Sequence, residues 1–358
     1  WFFDQWVYRG GEPEIEVSHS VNGNSLTVTT YQNHPKDGTV TSFRLPMTAT
    51  IYYNNGLIQS EKLELRNEKD TFHILAKQNS DIKMVLLDEN MQFLRKISYG
   101  KNDAYNMTIA ENSQFALGKL EAIERLKLAK WIDKKNTYLK VYHAEKSPLV
   151  KKEILEQITS SDTDDIANDI LSHGIKDEHV QVRRQAIKSI FSKNDALKQD
   201  LISALNDSSY VNIETAVLKL IELYPAEKRT WLNAIQHTEG IMNNLTLLYH
   251  SQIISDSSFA TERIASIQKM KYLASENGEY RSRVPAINFL LEKNLVDIDI
   301  AKSMIQGALY FHPGIRGASI AMLKKIKKDY NSIYLQAVQS YSFSAPNKTL
   351  EKLEERLK

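Results

Sequence analysis

Nine histidines are the first place to look for chemistry: His19, His34, His73, His143, His173, His179, His237, His250 and His312. None is followed by glutamate, so the chain lacks H-E-x-x-H, the helix motif that sets two imidazoles and a general base on one face. His173 and His179 are six residues apart, off the i, i+4 spacing of a helix-borne zinc pair, and read as surface or capping residues. Cysteine is absent, which removes thiolate zinc sites, cysteine nucleophiles, iron–sulfur ligation and disulfides. There is no G-x-S-x-G elbow, no G-x-x-x-x-G-K-[ST] phosphate loop and no G-x-G-x-x-G after a strand. Gly10-Gly11 reads as a turn. Asp162, Asp164, Asp165 and Asp169 crowd together, but the glycine and the twelfth-position glutamate of a calcium loop are missing. Ser161 or Asp162 is instead expected to cap a helix, with its acidic neighbours at the positive end of the dipole. The expectation is no catalytic residue and no metal ligand in this chain.

Four basic residues are the candidates for substrate contact. Arg281, Arg283, His312 and Arg316 fall at or near the starts of expected helices, and Arg forks match carboxylates bidentately. Exposed charges or pairs between repeats are the plainer reading of all four. Asp177 with Arg183-Arg184 is expected to join adjacent helical units, Asp177 capping its helix. The lysine clusters 127/130/134/135 and 324/325/327/328 lie on amphipathic stretches and read as solvated faces. Lys+Arg is 46 against Asp+Glu 44, too balanced for a protein devoted to neutralising a nucleic-acid backbone. No apolar run approaches the ~18 residues of a membrane span.

The elements that must carry these residues change character near residue 105 of the 358. Before it the apolar period is two. Ile15 and Val17, then Leu26 and Val28, Leu63 and Leu65, and Phe72, Ile74 and Ala76 alternate with polar residues, which turns one face of each strand inward. Phe43–Leu45, Thr48–Tyr53 after an interruption at Pro46, Met84–Leu87 and Phe93–Ile97 add β-rich runs. Asn22-Gly23-Asn24, Asp37-Gly38, Asn54-Asn55-Gly56 and Asp88-Glu89-Asn90 supply turns. About seven short strands suggest an antiparallel β-sandwich, with a small barrel as the competitor. Beyond residue 105 the period is 3.6. Gln114–Trp131 reads as one amphipathic helix, and 345–358 as a last short one with Leu350, Leu353 and Leu357 on one side.

The helical part carries a weak repeat: a small residue, a β-branched residue, two variable positions and a large apolar residue. It occurs at Ala122-Ile123-Leu126, Ala186-Ile187-Ile190, Ala216-Val217-Leu220, Ala286-Ile287-Leu290 and, more loosely, Ser319-Ile320-Leu323. The spacings approximate one or two units of about 32–35 residues, shorter than standard HEAT repeats. The small residue lets two helices approach and the apolar pair fills the groove, as stacked αα-hairpins require. A helical bundle with coincidental spacing is the alternative.

The opening segment adds a resemblance. Phe3-x-Gln5-Trp6, followed by Gly11-x-Pro13 and the alternating Glu14-Ile15-Glu16-Val17, resembles the junction after the catalytic domain in zinc aminopeptidases of the aminopeptidase-N type. The resemblance implies a junction over 1–12, a β-sandwich over 13–102 and an all-α, HEAT-like superhelical domain over 103–358. The family's H-E-x-x-H and G-A-M-E-N motifs are absent. Gly240-Ile241-Met242-Asn243-Asn244 imitates the second only superficially, with Asn243 where the amine-binding Glu would stand. The resemblance therefore implies the non-catalytic C-terminal portion of a peptide-trimming enzyme, supporting and covering an active site whose zinc lies in a preceding domain. Its partners would be that domain and peptide substrates. The chain alone would not be an enzyme and would hold no cofactor. The first residue, Trp1 rather than Met, fits a piece of a longer polypeptide, and leaves localisation open between cytoplasm and bacterial periplasm. The competing reading is an autonomous HEAT-like peptide- or protein-binding scaffold.

Overall fold

The computed structural model describes residues 1–35, 40–77, 81–100, 102–342 and 347–357. It divides into two compact units, Trp1–Phe191 and Ser192–Lys358. The strand-to-helix switch falls inside the first unit, where the first α-helix begins at Asp103.

Seven strands form among the described residues: β1 (Glu14–Asn22), β2 (Ser25–Gln32), β3 (Leu45–Tyr53), β4 (Ile58–Leu65), β5 (Lys69–Leu75), β6 (Ile82–Leu87) and β7 (Lys96–Ser98). They make two sheets, ordered β5-β2-β1-β7 and β4-β3-β6. The pairings are antiparallel except β1 with β7, which is parallel. The inward residues named from the alternation meet in one core: Ile15, Val17, Leu26, Val28, Leu63, Leu65, Ile74 and Ala76 pack with Phe43, Ile51, Val85 and Leu87. Gly23, at φ 57°, makes the tight β1–β2 turn, in the left-handed region glycine enters without penalty. The Asp37-Gly38 turn lies outside the described residues.

Two strand expectations are corrected. Pro46 does not interrupt a strand. It sits second in β3, paired to β4 at Glu64, while pairing with β6 starts only at Ala49. Its missing N–H therefore leaves no ladder bond broken. The Phe93–Ile97 run yields only the three residues of β7. Asp88 turns left-handed at φ 46°, and its carboxylate takes the Gln92 and Phe93 N–H groups at 2.9 and 3.2 Å, holding that segment off the sheet.

Sixteen helices follow among the described residues. In the first unit these are α1 (Asp103–Asn112), α2 (Ala116–Arg125), α3 (Trp131–Ala144), α4 (Pro148–Glu156), α5 (Asp165–Ile175) and α6 (Val180–Lys188). In the second they are α7 (Asp195–Ser203), α8 (Tyr210–Leu223), α9 (Lys228–Ile235), α10 (Asn244–Ile254) and α11 (Ala260–Ala274). The series closes with α12 (Tyr280–Glu292), α13 (Ile298–Leu309), α14 (Pro313–Asp329), α15 (Asn331–Ser342) and α16 (Asn347–Leu357). The first unit builds a ladder of pairs in which α1, α3 and α5 touch in one row and α2, α4 and α6 in the other. In the second unit α8, α10, α12, α14 and α16 form such a row. This is the HEAT-like arrangement.

The repeat residues sit where the two rows need them. Ala122, Ile123, Leu126, Ala186, Ile187, Ile190, Ala216, Val217, Leu220, Ala286, Ile287, Leu290, Ser319 and Leu323 are all buried, and Ile320 is partly so. Two of their small members, Ala186 and Ser319, face glycines on partner helices. A Cβ added at Gly174 of α5 would lie 2.7 Å from the Ala186 Cβ of α6, and one at Gly307 of α13 would lie 2.1 Å from the Ser319 Oγ of α14. Leu353 and Leu357 of α16 turn inward, while the Leu350 side chain lies outside the described residues. No described helix is long and apolar enough to cross a membrane.

Other expectations needed revision. Gln114–Trp131 is not one helix: α2 tightens into a 3₁₀ turn at Leu126–Leu128, and Ala129 and Lys130 are extended before α3 begins. Leu128 is consequently 97% exposed. The cap of α5 is Asp164, whose carboxylate accepts from the Ala167 N–H at 3.0 Å, while Asp162 closes a turn on Thr159. His179, not Asp177, caps α6. Asp177 does join adjacent pairs, through Lys151 of α4 at 2.7 Å, and Arg183 donates to the carbonyls of Asp177 and Glu178. Lys134 is not solvated: it is buried, donating to the Leu126 carbonyl and to Gln157, and burial pushes its pKa down.

Between strands and helices of the first unit the packing turns polar. Arg95 is buried with its guanidinium on the Asp88 carboxylate and carbonyl, at 3.2 and 2.6 Å, and on Glu121 of α2. The buried Glu89 carboxylate accepts from the Tyr52 hydroxyl at 2.7 and 2.8 Å, from Ser113 and from the Gln114 N–H. Burial first, and the Glu89 carboxylate second, push the Tyr52 pKa far up, so it stays a donor.

Candidate functional site

The four basic candidates gather at the first turns of α12 and α14, within the second unit. Glu279 caps α12, its carboxylate accepting from the Arg281 and Ser282 N–H groups at 2.9 and 3.0 Å. His312 caps α14, its Nδ1 accepting weakly from the Ile315 N–H, with Pro313 at the first helical position. Because Nδ1 accepts, Nε2 carries the proton, and it lies 2.9 Å from the Tyr280 hydroxyl. The two rings meet edge-to-face at 4.8 Å, tying the start of α12 to the start of α14.

The three arginines have different surroundings. Arg316 folds back to donate to the Phe311 carbonyl at 3.2 Å, which satisfies one group of the preceding turn. Arg281 is exposed, its guanidinium 3.8 Å from the Met242 sulfur, a weak acceptor. Arg283 is only 4% exposed and stacks over the Tyr310 ring at 5.1 Å. Its Nε has no hydrogen-bond partner among the described residues. Burial lowers its pKa, with Tyr310 and Glu276 opposing, but a guanidinium titrates too high to lose its charge near neutrality. A buried cation with donor capacity to spare is what an incoming carboxylate or phosphate could satisfy.

Arg281, Arg283, His312 and Arg316 were legible as helix-start residues. The partners Tyr280 and Tyr310 were not, because each pairing with them depends on how helices stack, whereas Glu279 caps its own helix, a local signal left unread. The superficial Gly240–Asn244 mimic is a backbone device: Gly240, Met242 and Asn243 take positive φ at 76°, 53° and 58°, turning the chain into α10. One group escaped the sequence reading altogether. His143 of α3 and Asp169 and His173 of α5 converge within the first unit, with one ligand atom from each inside 4.8 Å of the others. Sequence proximity pairs His173 with His179, whereas its spatial partner lies thirty residues earlier.

Fold and site together define a class: a β-sandwich leading into HEAT-like paired helices, with a basic cluster at two helix starts. No protein-family model matches the chain, and no curated protein does. Among solved structures it is similar to aminopeptidase A of Legionella pneumophila in complex with aspartic acid, at 12% identity and TM-score 0.47, over 97% of this chain and 49% of that one. It is also similar to the karyopherin Kap121p bound to the extreme C-terminus of the protein phosphatase Cdc14p, at 9% identity and TM-score 0.52, over 71% of this chain and 33% of that one. The chain thus spans about half of the first structure and a third of the second. Likenesses at these identities concern fold, not activity.

Proposed function

We propose that this chain is the post-catalytic portion of a zinc-dependent aminopeptidase, a β support and a helical cover for an active site carried by a preceding domain. The observation that carries the reading is the use made of the junction residues. Gln5 is buried, and its side-chain amide brackets the Arg44 backbone, accepting from its N–H at 2.7 Å and donating to its carbonyl at 3.3 Å. Trp6 packs on Phe43 at 5.3 Å. Two of the residues that carry the family resemblance thus seat the opening segment on the sandwich. Around them Trp1, Phe2, Phe3, Val7 and Tyr8 expose more than half of their surface, apolar area that a preceding domain would cover.

The chain's own residues do not fit the zinc of that family. H-E-x-x-H and its distant glutamate are missing, so no hydrolytic step is assigned to this portion. Its contribution would be to hold the distal part of a peptide, and binding energy from such remote contacts can assist the chemistry. Arg283 is the residue proposed to meet a peptide carboxylate, with Arg281, His312 and Arg316 shaping the surroundings.

The experiment compares the 358-residue chain with the same chain extended upstream through the coding sequence before Trp1. Aminoacyl-coumarin hydrolysis should appear only in the extended protein, whose added part should contain H-E-x-x-H. Zinc-dependent turnover by the short chain, or an upstream sequence lacking the motif, overturns the reading. In the extended enzyme, Arg283→Ala should raise KM for peptides with a free C-terminus more than for their amides, and equal effects remove the carboxylate role. A second reading, an autonomous peptide- or protein-binding scaffold, is favoured by the helix-pair ladder, whose fold is similar to that of a karyopherin with a bound C-terminal segment.

A further inference from the structure

The α3–α5 contact holds a constellation unrelated to the basic cluster. His143 Nε2 lies 2.7 Å from the Asp169 Oδ2, and His173 Nδ1 lies 3.5 Å from the other carboxylate oxygen, Oδ1. One carboxylate therefore has an imidazole at each oxygen. The two rings stand at 88° with centroids 4.5 Å apart. Asp169 and His173 share one face of α5 at i, i+4, and His143 reaches them from α3, the equivalent helix of the preceding pair.

A plain His–Asp ion pair needs one imidazole. Two imidazoliums this close repel each other, and a single carboxylate neutralises only one of them. A divalent cation supplies the same positive charge from one point and uses the lone pairs of both neutral rings. Both histidines lie in the last turns of their helices, His143 in α3 and His173 in α5. Two helix C-termini, the negative ends of the dipoles, therefore stand at this place. His173 Nδ1 also lies 2.9 Å from the Asp169 main-chain carbonyl. A cation taking the Nδ1 lone pair would replace that contact, with the ring proton on Nε2. The nearby cations are occupied elsewhere: Lys140 pairs with Glu111, and Lys176 donates to Ser172.

We propose that His143, Asp169 and His173 form a binding site for a borderline divalent cation of the zinc type, which clips α3 to α5. Zinc takes nitrogen and oxygen ligands at about 2.0–2.2 Å in a tetrahedron, which sets donors about 3.4 Å apart. Donors already within 4.8 Å reach that spacing by small rotations, and the side chains are free enough to make them, at 42%, 42% and 56% exposure. Two imidazoles and one carboxylate suit zinc, nickel or cobalt over calcium or magnesium. The three protein ligands leave a fourth position for water. The proposal is independent of the aminopeptidase reading, and it reads out without enzyme activity.

The test titrates the full metal-free chain with zinc chloride by calorimetry, and with cobalt(II) by visible absorption. Wild type should bind one equivalent with micromolar affinity, show cobalt d–d bands and melt at rising temperature as zinc is added. His143→Ala, His173→Ala and Asp169→Asn should each weaken binding at least about tenfold and abolish the zinc-dependent rise, while keeping the wild-type circular dichroism. His179→Ala, which removes the α6 cap, should leave the zinc affinity and the zinc-dependent rise unchanged. Binding below one equivalent in wild type, the same affinity in the three variants, or an equal loss in His179→Ala overturns the assignment. Calcium or magnesium competing at the same concentration as zinc overturns the choice of metal.

Discussion

The join between strands and helices in the first unit and the helix pairs α11–α14 in the second are held by different forces. At the join, Asp88, Glu89, Arg95 and Tyr52 are buried and mutually satisfied. In α11–α14 the contact is aliphatic, with Met270, Leu273, Ala286, Ile287, Leu290, Met304, Met322 and Leu323 all at or near zero exposure. Hydrophobic contact is non-directional and tolerates small slides, so it suits a repeat that stacks the same unit many times. A charged network is satisfied in one arrangement only. It suits a place where two unlike layers must meet in one register.

The sharpest way to break this contrast is Arg95→Ala. It leaves the buried Asp88 carboxylate without its cation and strips Glu121 of a partner. Removing one member of a buried pair costs about 3–5 kcal/mol. Urea unfolding should report that loss, and hydrogen exchange should place it in β6, β7 and α2. A cost below about 1 kcal/mol would mean that water already reaches the network, and the contrast would fail. Ile187→Ala and Ile287→Ala test the other side. Each removes a fully buried side chain of the repeat, at about 2–5 kcal/mol. Similar losses at both sites would establish them as equivalent groove residues, and a loss below about 0.5 kcal/mol at both would dissolve the repeat.

What could be read from sequence divides along the same line. The apolar half was legible: Ile15, Val17, Leu26 and Val28 announce a buried face by alternation, and Ala286-Ile287-Leu290 announces a groove by spacing. Period and residue size are local properties. The polar half was not. Nothing near Glu89 says that Tyr52, 37 positions away, will donate to it, and nothing near His173 points to His143. A lysine in Lys134's setting reads as solvated because lysines usually snorkel, yet the 3₁₀ turn at Leu126–Leu128 presents a carbonyl that takes its ammonium inside. The break at Ala129-Lys130 was hidden because both residues are compatible with helix, and tertiary packing overrode their propensity. Of the candidate site, the helix-start placement of Arg281, Arg283, His312 and Arg316 came through, and the unpaired Nε of Arg283 did not.

A smaller effect sharpens the apolar side. At Gly307 a Cβ would stand 2.1 Å from the Ser319 Oγ and 3.0 Å from its Cβ, and that hydroxyl is buried without a partner among the described residues. Gly307→Ala should cost about 1–3 kcal/mol through overpacking, offset by about 1 kcal/mol of helix propensity. Ser319→Ala removes both the obstacle and an unsatisfied group, so it should be neutral or stabilising alone and should recover much of the loss in the double variant. Equal penalties for Gly307→Ala with and without Ser319→Ala would show that the limit is set by backbone approach.

The smallest effect separates the two regions by pH. Unlike the buried Arg283, one titratable side chain between helices of the second unit is kept neutral. His250 of α10 lies 3.0 Å from the buried Ser266 hydroxyl of α11, and burial, then the charge of Lys269, lower its pKa to about 4. Between that value and the ordinary 6.5 the unfolded chain takes up a proton that the folded chain refuses. Stability from this group is therefore complete above about pH 6.5 and is lost as pH falls toward 4. His250→Gln, which keeps a polar contact to Ser266 and cannot titrate, should melt with a shallower dependence on pH over that window. Parallel curves for the two chains would show that the imidazole accepts its proton in place, and that the α10–α11 contact is open enough to water to solvate it.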